Sequence, residues 1–183
     1  WSPDGARLAY SLNDQDIAIL DLATGASSLV TGASDPGIIE TMPSWSADGE
    51  TLAFVRSETS ASGFEVTGSS DIYAISANGG EPVPLAGASG SGLNYYPAYS
   101  PDGKWLAFTR HTTGEDTYSD PEAEIYLVPD GGGAAIRIAA NDDPTGERLT
   151  GVSNSWATWS RDGKLLAFSS KRNDSAYDIF ITE

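Results

Sequence analysis

The decapeptide Trp1-Ser-Pro-Asp-Gly-Ala-Arg-Leu-Ala-Tyr10 returns three times along the chain. It recurs as Trp45-Ser-Ala-Asp-Gly-Glu-Thr-Leu-Ala-Phe54, as Tyr99-Ser-Pro-Asp-Gly-Lys-Trp-Leu-Ala-Phe108 and as Trp159-Ser-Arg-Asp-Gly-Lys-Leu-Leu-Ala-Phe168. The aspartates of the four Asp-Gly pairs, Asp4, Asp48, Asp102 and Asp162, stand 44, 54 and 60 residues apart. Self-similarity at such a period marks a repeat architecture, in which each unit buries its apolar face only by stacking on its neighbours.

A second block follows each copy: Asp16-Ile-Ala-Ile-Leu20, Asp71-Ile-Tyr-Ala-Ile75, Glu124-Ile-Tyr-Leu-Val128 and Asp178-Ile-Phe-Ile-Thr182. After the first three comes a Gly-containing turn (Thr24-Gly25, Asn78-Gly79-Gly80, Asp130-Gly131-Gly132-Gly133), then a short apolar run at residues 28–31, 83–86 and 136–139. Each unit reads strand, Asp-Gly turn, strand, variable loop, strand, Gly turn, strand. Short strands bounded by Gly and Asp at regular spacing predict an all-β chain, and four antiparallel strands per repeat predict the blade of a β-propeller. The blade repeats fall at about 1–31, 43–86, 97–139 and 157–183, the first and last incomplete.

Ser-Pro-Asp-Gly places Pro where φ is near −65° and Gly where φ is positive, which makes a hairpin turn. The Asp side chain accepts backbone N–H bonds inside such a turn, so its recurrence reads as structural rather than catalytic. The Leu-Ala-Phe/Tyr run is apolar on both strand faces, as expected of a sheet sandwiched between two others. Pro82 and Pro84 fall in the fourth strand of the second unit, which is therefore expected at a sheet edge.

The pattern aromatic-Ser-Pro-Asp-Gly-Lys-x-Leu-Ala-Phe, followed by Asp-Ile-Tyr and a Gly-Gly turn, resembles the TolB-type, WD40-like (PD40) propeller repeat over nearly the whole chain. Ala47 and Arg161 replace Pro in two copies, and Tyr99 replaces Trp in one. The resemblance implies propeller blades of periplasmic or secreted bacterial proteins, used as binding platforms for a protein, peptide or glycan. Similar blades form the substrate-gating propeller of prolyl oligopeptidase-like and dipeptidyl-peptidase-like serine hydrolases, and occur in some polysaccharide lyases.

The first unit lacks most of an inner strand and the fourth stops before an outer one. Since propellers have roughly four to eight blades, the chain is expected to be part of a six-bladed ring, its remaining blades belonging to the same parent chain, with a stand-alone four-bladed ring as the alternative. A net charge of −16, from 26 acidic against 10 basic residues, argues against nucleic acid, whose phosphates need a positive surface, and against an anionic membrane. Solubility is the plain reading of that charge, and a basic partner or cation the sharper one. With no Cys, disulfides and thiolate metal sites are excluded. No apolar run approaches the length of a membrane helix.

Blades are committed to packing, so function is sought in the loops. The connectors into each new blade (32–44, 87–98 and 140–158) and the loops between second and third strands (11–15, 55–70, 109–123 and 169–177) are expected on one face, with the Asp-Gly turns on the other. Counting back five residues from each first-strand aromatic gives Glu40, Asn94 and Asn154; counting back three gives Met42, Tyr96 and Trp156. These are expected to ring the mouth of the central channel. With Tyr95, the aromatics offer amphipathic contact area and the others polar anchors; alternatively the aromatics plug the blade tops and the Asn residues form turns.

Arg56 and Arg110, each two residues after the Phe, and Lys171-Arg172 are expected to pair with carboxylates or to clamp a ligand carboxylate. The acidic loop around Glu115, Asp116 and Asp120, with Asp142, is a weak Ca²⁺ candidate against a solvated acidic loop; no cofactor is expected. His111, the only histidine, is expected to be an exposed bystander. No Gly-x-Ser-x-Gly elbow occurs. The segment therefore reads as non-catalytic: a binding platform of the bacterial envelope, or the propeller of a secreted serine peptidase whose catalytic domain lies outside it.

Overall fold

The computed structural model describes residues 1–13, 15–32, 37–59, 66–111, 122–173 and 176–183, the side chains of residues 66–68 excepted. The chain is all-β. Strands β1 (Arg7–Leu12), β2 (Asp16–Asp21) and β3 (Ser27–Leu29) form a three-stranded antiparallel sheet in that order. Strands β4 (Ile38–Trp45), β5 (Thr51–Thr59), β6 (Val66–Ser76) and β7 (Val83–Pro84) make the second unit. Strands β8 (Leu93–Tyr99), β9 (Trp105–His111), β10 (Ala123–Pro129) and β11 (Ile136–Arg137) make the third. A single parallel bridge, Ser70 to Leu93, links these two into one continuous eight-stranded sheet. Strands β12 (Asn154–Trp159), β13 (Leu166–Ser170) and β14 (Asp178–Thr182) form the last sheet, again three-stranded. Among the described residues the only helical turn is a 3₁₀ turn at Ala139–Asn141, and no helix is long and apolar enough to cross a membrane.

Apolar burial is divided among seams between successive sheets. Ile17, Ile19 and Val30 of the first unit meet Trp45, Leu52, Phe54 and Ile75 of the second. Ala53, Ile72 and Leu85 meet Tyr99, Leu106, Phe108 and Val128. Ala107 and Ile125 meet Ala157, Leu166 and Phe168. The Leu-Ala-Phe runs of β5 and β9 are fully buried on both faces because each lies between two neighbouring units. The Trp159 indole N–H donates to the Ala98 carbonyl of the preceding unit at 2.9 Å, locking one seam directionally. Pro84 lies in β7, which pairs only with β6, so no ladder N–H is missed there.

The Asp-Gly turns repeat one hydrogen-bond circuit. Ser46 Oγ donates to Asp48 Oδ1 at 2.6 Å, the Glu50 amide donates to the same oxygen at 2.9 Å, and the Thr51 amide donates to Ser46 Oγ at 2.9 Å. The circuit recurs at Ser2/Asp4, Ser100/Asp102 and Ser160/Asp162. Each turn closes on a glycine with φ of 70–73°, a conformation costly for any residue with a Cβ. The bonds to the Ser hydroxyl and backbone hold these carboxyls below the usual aspartate range, Asp102 at about 2.

Candidate functional site

Each innermost strand carries the same interruption. Pairing shifts between Thr41 and Ser44 in β4, between Tyr95 and Ala98 in β8, and between Ser155 and Thr158 in β12, so two residues of one strand oppose one of the next. This is a β-bulge. Its first residue is Met42, Tyr96 and Trp156 in turn, all left-handed with φ of 54–55°. Left-handed backbone costs an L-residue roughly 1–2 kcal/mol, and none of the three positions uses Gly or Asn, which would relieve it. Pro43 and Pro97 occupy the second bulge position, where no ladder N–H is needed. A Pro inside an otherwise continuous strand was the sequence signal for this feature, and the repeat count alone did not use it.

The bulge turns the aromatics into a row. Tyr96 and Trp156 meet edge-to-face with centroids 5.3 Å apart, and Trp156 meets Tyr177 in the same manner at 5.2 Å. Tyr95 packs beside Tyr96 at 6.1 Å, and the Lys171 ammonium sits 4.6 Å over the Tyr177 ring. Met42 and Tyr96 rest on a small cluster of Val55, Leu93 and Tyr95. Trp156 remains 39% exposed, so the row is a ledge open to solvent. Tyr177 was not singled out in the sequence: it stands in a variable loop with no repeat equivalent to flag it.

The polar residues expected beside the aromatics go elsewhere. Glu40, Asn94 and Asn154 are buried in the seams, because the bulge separates them from the residue two positions on, which an unbroken strand would have kept on the same face. The Asn94 amide donates to Asp71 Oδ1 and to the Ser70 carbonyl of the preceding unit, and its Oδ1 accepts Arg110 Nε at 2.9 Å. Arg110 also donates to the Gly87 carbonyl at 2.6 Å. Arg172 repeats the pattern, donating to the Ala140 carbonyl at 2.6 Å and to Asn154 Oδ1 at 3.2 Å. Both guanidiniums lie over the paired aromatics of their own blade, Phe108/Tyr126 and Phe168/Phe180. Arg56 lies over Tyr73 and faces Glu40 at 3.7 Å. These arginines clasp a blade to the connector before it, and burial pushes the Arg110 and Arg172 guanidiniums down from their ordinary value.

His111 departs from expectation: it is buried, edge-on to Tyr95 at 5.2 Å, because β9 continues through it, paired with Leu93 of β8 on one side and Ala123 of β10 on the other. Asp142 is held by Arg137 at 2.7 Å, and no group of three or more metal-ligating side chains occurs among the described residues. Glu115, Asp116 and Asp120 lie outside the described residues. Arg137 also joins Glu124, which Arg148 reaches from the connector at 3.0 Å. Burial works to raise the Glu124 carboxyl, yet the two arginines hold it below its ordinary value.

The connectors and the loops after each second strand thus meet on one face: Gly87 with Arg110, Ala140 with Arg172, Trp156 with Tyr177. Comparison with known proteins gives this geometry a family. The family model of the TolB beta propeller domain matches residues 1–183. Among solved structures, TolB from Acinetobacter baumannii is 25% identical with a TM-score of 0.73, covering 100% of this chain and 39% of that one. A puromycin-hydrolyzing peptidase from Mycobacterium tuberculosis superposes with a TM-score of 0.67 at 19% identity, over 96% of this chain and 27% of that one. The Bacillus subtilis (strain 168) protein named uncharacterized peptidase YuxL is 28% identical over 157 residues, 70% of this chain and 23% of its own length. The chain therefore spans well under half the length of these relatives. With four copies of one blade pattern and a family model matched from first residue to last, this chain belongs to the TolB beta propeller domain family.

Proposed function

We propose that this propeller recognises rather than catalyses, holding a protein, peptide or glycan ligand on its loop-rich face against the Tyr96–Trp156–Tyr177 ledge. One observation carries the reading: three successive blades keep a bulky side chain in left-handed backbone at the same bulge. Strain of this kind persists where the side chain it displays is needed. Tyr and Trp are the residues enriched at binding anchors. The only histidine of the chain is buried against Tyr95, a poor setting for a general base. The TolB-type relatives favour the periplasm or the cell exterior as the place of action, with further blades of the parent chain flanking this segment.

The test is affinity capture from a periplasmic extract, alongside a glycan array, using the whole protein as bait. Trp156→Ala or Tyr96→Ala is expected to weaken ligand binding by about 1–3 kcal/mol while the circular dichroism of the blades is unchanged. Retention of ligand by both variants, with loss on charge changes at the Asp-Gly turns, would place binding on the opposite face.

A second reading follows from the names of two relatives, the peptidases of Bacillus subtilis and Mycobacterium tuberculosis. In it the same face gates substrate to a serine hydrolase domain elsewhere in the parent chain. Labelling of the whole protein by a fluorophosphonate probe, at a Ser within Gly-x-Ser-x-Gly, distinguishes it from the platform.

A further inference from the structure

Three successive blades place an Asn or Glu at the same inner-strand position, each with an arginine beside it. In the third blade it is Asn94 opposite Arg110, in the fourth Asn154 opposite Ser170 with Arg172 reaching back, and in the second Glu40 opposite Arg56. The amides are neutral and can donate as well as accept. Asn94 uses both capacities, donating to Asp71 of the preceding blade at 3.2 Å while accepting from Arg110 at 2.9 Å.

Glu40 occupies this position without either bond. It is 1% exposed, and among the described residues neither carboxylate oxygen meets a donor in good hydrogen-bond geometry. Arg56 Nε stands 3.7 Å away, an ion pair beyond hydrogen-bond reach. Asp16, which opens β2 as Asp71 falls in β6, is the preceding blade's acidic residue on this side. An ionised Glu40 has no proton to offer it. Among the described residues, the charged groups on the strands packed against β4 are few. From β5 come Arg56 and Glu58; from β2, Asp16 and, at its far end, Asp21; from β1 only Arg7, which lies over Trp45 at the opposite end. Strand β8 carries no Asp, Glu, Lys, Arg or His. The Thr31 hydroxyl, which accepts the Ile17 amide at 2.8 Å, lies beside it.

We propose that Glu40 is a proton-operated latch between the first two blades: ionised it can only accept, with the Thr31 hydroxyl beside it, and on taking a proton from solvent its new O–H donates to the Asp16 side of the seam as the Asn94 amide donates to Asp71. Burial pushes the Glu40 carboxyl up, Thr31 and Arg56 pull it down, and Asp16 pushes it up again, for a net rise. An acid raised in the folded state contributes stability that is fully present below its unfolded value and lost as pH rises through the folded one. The latch is therefore closed in acid and open at neutral pH. It acts on the seam behind Met42, at one end of the left-handed positions described above, and it stands whether or not the ledge binds a ligand.

Glu40→Gln supplies a permanent donor of nearly the same shape. In the whole protein it is expected to raise Tm at pH 7 by roughly 2–4 °C, with the gap to wild type closing on acidification as Glu40 takes up its own proton. Asn94→Glu is expected to do the reverse in the next seam, lowering Tm at pH 7 and recovering it in acid. A Glu40→Gln protein less stable than wild type at pH 7, or a gap that does not change with pH, would overturn the latch. Carboxyl ¹³C titration of the unmutated protein reads the same group without any variant. One glutamate resonance titrating above the others and absent from Glu40→Gln supports the proposal; no such resonance refutes it.

Discussion

Single residues do two kinds of work here, and backbone conformation tells them apart. At the Asp-Gly turns the strained φ falls on Gly, and the carboxylate spends its lone pairs on the turn. Those carboxyls titrate low, Asp102 at about 2 against an ordinary 3.8. A depressed acid contributes stability that is present above the unfolded value and lost as pH falls through the folded one. Thermal melting is accordingly expected to weaken between pH 3.8 and about 2, and Ser100→Ala, which removes the hydroxyl donor to Asp102, to shrink that loss. At the inner bulges the strained φ falls instead on Met42, Tyr96 and Trp156. Trp156→Gly and Trp156→Ala lose the same ring, so their difference isolates the backbone. Glycine is expected to be the more stable by about 1 kcal/mol, measured by urea unfolding; equal stability would mean the left-handed conformation carries no strain.

At the level of strands and sheets, the Leu-Ala-Phe strand is the unit of cohesion. Phe108 is fully buried in the seam between the second and third units, and Phe108→Ala is expected to cost about 3–5 kcal/mol. The same change at Phe180, half-buried in β14, is expected to cost distinctly less, both read from denaturant midpoints. This scale was the most legible in the sequence, because four copies of one pattern average out local ambiguity: Leu-Ala-Phe, Asp-Ile-Tyr and the Gly turns place the strands without reference to tertiary contacts. The site was less legible. Counting from Trp45, Tyr99 and Trp159 assumed an unbroken alternation of sides, and one extra residue in the strand sends Glu40, Asn94 and Asn154 into the seams while Tyr96 and Trp156 line the ledge. Arg110 and Arg172 were expected to meet carboxylates, of the chain or of a ligand; their acceptors include the Gly87 and Ala140 carbonyls, backbone atoms that no side-chain pattern announces.

For the molecule as a whole, the seams explain both its coherence and its exposed ends. Ile17, Ile72 and Ile125 hold equivalent places in the third strand of their blades and are each fully buried against the blade that follows. Ile179 holds the same place in the fourth unit and is 73% exposed, with Ile181 at 67%. An apolar sheet face of this kind seeks cover. The 183-residue chain expressed by itself is expected to self-associate with rising concentration in sedimentation velocity, more strongly at high salt, where the repulsion of its −16 charge is screened. Ile179→Ser with Ile181→Ser is expected to reduce that association; a monodisperse wild-type chain would sink the argument.

The clasps also have a direction. Arg110, Asn94, Arg172 and the Trp159 indole all donate backwards, to Gly87, Asp71, Ala140 and Ala98, which precede them in the chain. Every acceptor is thus already in place when the ribosome releases its donor. A nascent chain built this way can set its third and fourth blades against templates already made, whereas the first seam is also bonded forwards, Arg7 to the Gly49 carbonyl, and waits for the second blade.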